Sequence, residues 1–335
     1  MATTQNIYGI KFTALCFLLP LLLLSSCKKL IEIDPPIDQI TAGELYSTNS
    51  GAASVLSGIY YSMNTQGFSG GQSGLSLRLG LAADELKLLT GSADLLSRLY
   101  TNSLVRTDDV NWTELYGYIF KANAAIEGIT VSASLSENVR KQLLGEAKFV
   151  RAFCYFNLTN IFGEVPLVIS TNYNENSKAP KSHKELVYAQ IKKDLQEAHD
   201  QLSADYIGSD GVSAISERIV PNSIAASALL ARVYLYTNDW SNAESSATEV
   251  IQNVNYNLPA LNEVFLKNSS EAIWQLERGK NYYNTDGQLF ILEIGLNTAT
   301  NPVYLSPQLL NSFEAGDLRY QNWINKYEAT GNTYY

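Results

Sequence analysis

The feature that most constrains this chain is an apolar stripe that repeats at helical steps and then stops at a turn. Leu143, Ala147, Val150, Cys154, Leu158 and Ile161 follow one another at intervals of three and four, which places them on one helical face. Gly163 ends the run, and Pro166 keeps the chain extended beyond it. The same period predicts helices over 51–63 (Ala52, Val55, Leu56, Ile59, Tyr60), 112–129 (Leu115, Ile119, Ala122, Ile126), 138–161 and 184–202 (Val187, Ile191, Leu195, Ala198, Leu202). After Pro221 it gives two more, joined near Asn238 and Asp239, with Ala228, Ala231, Tyr234, Ala243, Ala247 and Ile251 on facing sides and Trp240 capping the turn. Between the helices, 65–76 is rich in Gly and Ser and reads as a flexible loop, 79–89 is mixed, and the polar stretch to Asp109 reads as irregular. Residues 272–276 read as a short strand, and 277–308 as loop-rich and aromatic. The fold class is mainly α.

The N-terminus carries export information. Residues 7–26 hold one charge, Lys11, and an apolar run from Phe12 to Leu24 broken by Pro20, too short to span a bilayer and laid out as a signal peptide. Leu24-Ser25-Ser26-Cys27 then looks like a bacterial lipobox, which makes Cys27 the lipidated first residue of the mature chain; ordinary secretion with cleavage nearby is the alternative. Each buried methylene contributes ~0.8 kcal/mol, so two or three acyl chains anchor stably where one does not. Residues 27–36 form the tether, ending in Pro35-Pro36. Cys16 leaves with the signal, so Cys154 is the thiol of the mature body, forms no intramolecular disulfide, and is expected to be a small buried hydrophobe. With 33 acidic against 24 basic side chains, and no basic cluster beyond Lys28-Lys29, nucleic acid is not an expected partner.

The stretch 145–168, GEAKFVRAFCYFNLTNIFGEVPLV, closely resembles the signature of SusD/RagB-like proteins, surface lipoproteins with which Bacteroidetes capture nutrients. Glu146, Ala147, Phe149, Arg151, Ala152, Tyr155, Leu158, Phe162, Gly163, Val165, Pro166 and Leu167 all stand where that family's pattern expects them. The hairpin after Pro221 resembles a tetratricopeptide unit, and one clear repeat is too few for a solenoid, so it reads as scaffold. Asp317-Leu318-Arg319-Tyr320 matches the family's D-x-R element. The resemblance implies a tetratricopeptide-like scaffold of helical pairs, with loop-rich, partly β insertions forming the ligand surface. It divides the chain into a signal peptide (1–26), a lipidated tether (27–36), a helical region (37–260) and the start of a loop-rich C-terminal region (261–335). Family chains continue well past this point, so a C-terminally short or partial chain is expected.

Enzyme chemistry finds little support. Gly67-Phe68-Ser69-Gly70-Gly71 satisfies the G-x-S-x-G spelling, but a nucleophile elbow needs a strand before the serine and a helix after it, whereas Ser69 lies in a Gly/Ser loop that follows a helix. His183 and His199 both belong to one helix and its approach, and the pairs Asp84-Glu85 and Asp108-Asp109 stand in no supporting motif. No zinc, calcium-loop or phosphate-loop spacing occurs, so neither metal nor cofactor is expected.

Binding remains. Sugar rings present apolar C–H faces and a rim of hydroxyls, which aromatic planes and Asn, Asp or Arg side chains complement. Two segments supply both: Asp84 with Arg98, Tyr100 and Asn102, and Trp274 with Arg278, Asn281, Tyr282 and Tyr283. The expected function is non-catalytic capture of nutrient glycans at the outer membrane. The partner implied by the resemblance is a TonB-dependent, SusC-like transporter. Peptide capture of the RagB type, a surface glycoside hydrolase and a purely structural tetratricopeptide adaptor are the alternatives.

Overall fold

The long apolar stripe becomes the central element of a helical stack. In the computed structural model, which describes residues 42–65, 68–277, 284–292, 295–329 and 331–335, the main helices are α1 (Asn49–Thr65), α2 (Leu75–Ala82), α3 (Asp94–Tyr100), α4 (Trp112–Val131), α5 (Glu137–Phe162), α6 (Lys184–Gln201), α7 (Ser223–Tyr236), α8 (Trp240–Gln252), α9 (Thr285–Phe290) and α10 (Leu318–Trp323). α5 packs against α4 on one side and α6 on the other, and α7 follows on α6. Leu143, Ala147, Val150, Cys154 and Leu158 are buried there with Ile119, Ala122, Ile191 and Leu195, as their spacing requires. None of the helices among the described residues is long and apolar enough to cross a membrane.

A second, smaller core is built from two distant stretches of chain. Leu77 and Leu81 of α2, Leu96 and Leu99 of α3, Val110, Leu289 of α9 and Val303 pack together. A short antiparallel ladder closes it: β1 (Leu86–Leu88) pairs with β2 (Val303–Leu305), Leu86 facing Leu305 and Leu88 facing Val303.

The polar members of the signature hold the stack in register. Arg151 donates to both Asp194 oxygens (2.8 and 2.6 Å) and to Asn123 Oδ1 (2.8 Å), joining α5, α6 and α4. Both ions are buried, and removing one partner of such a pair costs about 3–5 kcal/mol because the other charge is left uncompensated. Past Gly163, whose φ of +80° suits a residue without a Cβ, the Tyr155 hydroxyl accepts from Val168 N (2.7 Å) and donates to its carbonyl (2.8 Å). The Tyr116 hydroxyl donates to Pro166 O (2.7 Å), so the extended exit is fastened by side chains of the helices beside it.

Four local expectations change. The polar region before Asp109 contains α3, because Leu96 and Leu99 bury in the second core; seven residues are too few to display a period. The glycine-rich loop is a tight fold: Gly71–Ser73 is a single 3-10 turn and α2 starts at Leu75. Residues 272–276 form no strand; Gln275 N donates to Arg218 O (2.8 Å), a loop carbonyl and not a ladder partner. Finally, α8 buries no residue. Ile251 is 78% exposed and Trp240 60% exposed, since no described element packs on the outer side of the hairpin. The cap is Asp239, whose carboxylate accepts from Asn242 N, an acceptor role that the indole of Trp240 cannot fill.

Candidate functional site

At the edge of the helical stack, between the end of α1, the start of α2 and the start of α9, the chain leaves a cleft of about 690 Å³. Its floor is aromatic. Trp274 stands edge-on to Phe153 (centroids 5.4 Å apart) and Phe149 (5.1 Å), and Phe68 packs on Phe153 at 5.8 Å. Its rim is polar, with Asn64, Ser69, Lys267, Glu277, Asn284 and Asp286 around it. Lys267 pairs with Glu277 at 3.2 Å, and Asn64 donates to the Glu277 carbonyl at 2.8 Å. A larger hollow of about 970 Å³ runs along α1 and α4, but Val55, Ile59, Phe120 and Val131 make it predominantly apolar. The smaller cleft, with its mixed lining, is the better match for a polyhydroxylated ligand.

Two devices build the cleft. On one wall, Asp286 at the start of α9 accepts from Gly71 N (3.0 Å) and from Ser76 Oγ (3.3 Å), tying the glycine loop to α9. A Cβ at Gly70 would collide with the Thr285 hydroxyl, and one at Gly74 would come within 2.6 Å of Gly70 Cα, so the glycines permit close approach. On the other wall, the Arg218 guanidinium lies 4.9 Å from the Tyr256 ring centroid and donates to the carbonyls of Ala272 (2.6 Å), Ser270 (3.3 Å) and Asn255 (2.7 Å). The adjoining Ile219 carbonyl accepts from the Trp274 indole at 3.3 Å. One arginine and its neighbour's backbone thus fix the segment that carries Trp274.

Of the residues expected at a ligand surface, Trp274 lines this cleft. Arg278, Asn281, Tyr282 and Tyr283 lie outside the described residues, as does Cys27; Glu277 and Asn284, the described residues that flank 278–283 in sequence, are both on the cleft lining. Asp84, Arg98, Tyr100 and Asn102 belong to the second core's surface and do not line it. Asp84 and Asn102 are exposed turn residues with φ of 61° and 52°. Arg98 presents no free guanidinium: it grips Asp108 through three contacts of 2.6 to 3.0 Å, which raises the arginine and lowers the aspartate from their ordinary values. Tyr100 is half-buried, with Lys87 Nζ 5.4 Å from its ring centroid.

Sequence reasoning missed Asn64, Phe68, Phe153 and Asp286. Phe153 lies beside the buried stripe instead of in it, and Asn284-Thr285-Asp286 is a helix-start signal ahead of Leu289-Phe290 that could have marked α9. Ser69 Oγ donates to Asn64 O at 3.3 Å, while His183 pairs with Glu164 (2.8 Å) and His199 with Glu249 (3.0 Å). Asp109 accepts from the Trp112 amide at 2.7 Å as a helix cap. These groups are occupied in holding turns and helices together.

Comparison with known proteins agrees with this architecture. The family model SusD-like_3, described as "Starch-binding associating with outer membrane", matches residues 91–235, from just before α3 to the penultimate residue of α7. A SusD-like protein of Formosa agariphila is 24% identical over 269 residues, 76% of this chain and 49% of the relative. Another from that organism is 29% identical over 244 residues, 71% of this chain and 45% of the relative. The chain spans about half the length of the curated relatives it matches. Among solved structures, a SusD superfamily protein from Bacteroides thetaiotaomicron superposes with a TM-score of 0.67 at 23% identity, covering 79% of this chain and 61% of that one. A laminarin binding SusD-like protein gives 0.68 at 22% identity, covering 84% and 70%. At these identities the likeness to solved structures is one of fold.

Proposed function

This chain belongs to the SusD/RagB-like family, and on that basis we propose that it binds a nutrient glycan at the outer membrane without turning it over and passes it to a TonB-dependent, SusC-like transporter. The observation that carries the reading is the cleft's lining, an aromatic floor around Trp274 under a rim of amides, hydroxyls and carboxylates. The floor suits the C–H faces of sugar rings and the rim suits their hydroxyls. The ligand set we infer is Trp274 with Arg278, Asn281, Tyr282 and Tyr283, which follow it in sequence. Asp84, Tyr100 and Asn102 offer secondary contacts on the neighbouring insertion, and Arg98 supports their turn through Asp108. A diacylated Cys27 would hold the protein at the membrane through the tether that follows it.

Affinity electrophoresis of the chain from Lys28 onward, in gels carrying laminarin, starch, galactomannan or xylan, tests the reading. We expect retardation in at least one gel, no release of reducing sugar, and about tenfold weaker retention of Trp274→Phe, which keeps the packing on Phe149 and Phe153 while shrinking the platform. Passage unretarded through all four gels by a chain with a cooperative melt, together with binding to a peptide panel, would favour the RagB type of ligand. Hydrolysis of a retained polysaccharide at enzymatic rates would defeat it outright.

A further inference from the structure

The cleft does not end at its own rim. Ser76 lies on its lining and also on that of an adjoining hollow of about 450 Å³. An aromatic pair spans the same boundary. Phe265 lines the cleft, Trp323 lines the hollow, and their ring centroids are 5.0 Å apart at 65°. The pair is a built feature, because the Trp323 indole donates to Leu261 O at 3.0 Å, at the start of the loop that carries Phe265. Yet Phe265 is 76% exposed and Trp323 38% exposed. A phenylalanine ring left in water beside a binding cleft forgoes the stability of burial, and its position offers that face to a ligand. The hollow beyond repeats the chemistry of the cleft: Tyr304 and Tyr335 stand among Glu85, Asn325 and Lys326. Tyr304 is set edge-on by Tyr334 at 5.0 Å.

We propose that the Phe265–Trp323 pair is a second aromatic platform that carries a glycan chain out of the cleft and into the adjoining hollow, so that the ligand is held along several consecutive rings and not by one end. This rests on the glycan-binding reading above. It adds that affinity grows with chain length beyond what the first cleft accommodates, and that interior stretches of a polysaccharide are ligands.

The test compares wild type, Phe265→Ala, Trp323→Phe and the control Ile251→Ala, an exposed apolar residue of α8, in the same four polysaccharide gels. Calorimetry then follows with oligosaccharides of two to eight rings cut from whichever polysaccharide retards the wild type. Phe265→Ala is expected to weaken retention and long-oligosaccharide binding about five- to tenfold, two-ring binding by less, and to retain the wild-type melting temperature; the control should match wild type. Wild-type retention that Phe265→Ala does not alter overturns the platform while leaving glycan binding intact. A wild type that no gel retards overturns the functional reading and the platform with it. If Phe265→Ala instead converts a dimer to a monomer on gel filtration with glycan retention unchanged, the pair is a contact between copies and the proposal fails.

Discussion

At the scale of single residues, the signature's polar members explain themselves only in three dimensions. Glu146 stands in a helix whose neighbours are apolar, and it is 3% exposed, with Tyr60 donating to one oxygen (2.9 Å) and Gln142 to the other (3.0 Å). Burial lifts its carboxyl to about 7, against the opposing pull of those two hydrogen bonds. A carboxyl raised in the folded state favours the protonated protein. Its contribution is complete below the ordinary value of 4.5 and is lost as pH climbs through about 7. The full swing is about 3 kcal/mol. Glu146→Gln should therefore match wild type in urea titrations near pH 4 and exceed it increasingly up to pH 8; a gap that stays constant with pH would show that the carboxyl does not ionise there. The sequence shows a glutamate and an arginine inside an apolar stripe, but Tyr60 on α1 and Asp194 on α6 are far away along the chain. No local pattern announces such partners.

At the scale of elements, what was legible depended on length. α1, α4, α5, α6 and α7 each run long enough for their stripes to repeat, and the spacing placed them within two or three residues of their ends. α2, α3 and α9 have six to eight residues each and owe their helicity to the second core, which joins residues from both ends of the helical region. The cleft was half legible for the same reason. Trp274 stood out in its segment, whereas Asn64 and Asp286 become rim residues only once the glycine loop folds against α9. α8 is the exception among the long helices, with the right period and no buried residue. Polar contacts hold it: Glu249 accepts from Ser227 of α7 (2.7 Å) and meets His199 of α6 (3.0 Å). Burial pulls His199 down, but its hydrogen bonds to Glu249 and Asp200 outweigh that and leave it above its ordinary 6.5. A raised histidine contributes stability below pH 6.5 and loses it as pH rises past its folded value. Hydrogen exchange corrected for intrinsic rate should show α8 opening more readily at pH 8 than at pH 6, with α7 unchanged. Equal protection of α8 at both values would remove the pair from its support.

At the scale of the whole molecule, the helical stack and the second core divide the work. The family match falls on α3 to α7, while the cleft draws Trp274, Lys267, Asn284 and Asp286 from beyond residue 235. Relatives can therefore share the stack and differ in what the cleft admits. The β1–β2 ladder that closes the second core has a further consequence, in time. It joins Leu86 to Leu305 across nearly all of the helical region, and closing so long a loop carries a larger entropic cost than docking helices that are neighbours in sequence. Neighbouring helices can dock as soon as they form, but this ladder must wait for them. Pulsed hydrogen exchange during refolding should protect the amides of α5 before those of Leu86–Leu88; simultaneous protection would mean that the stack and the ladder assemble together. A chain halted just short of that last closure would own a finished helical scaffold and an open second core.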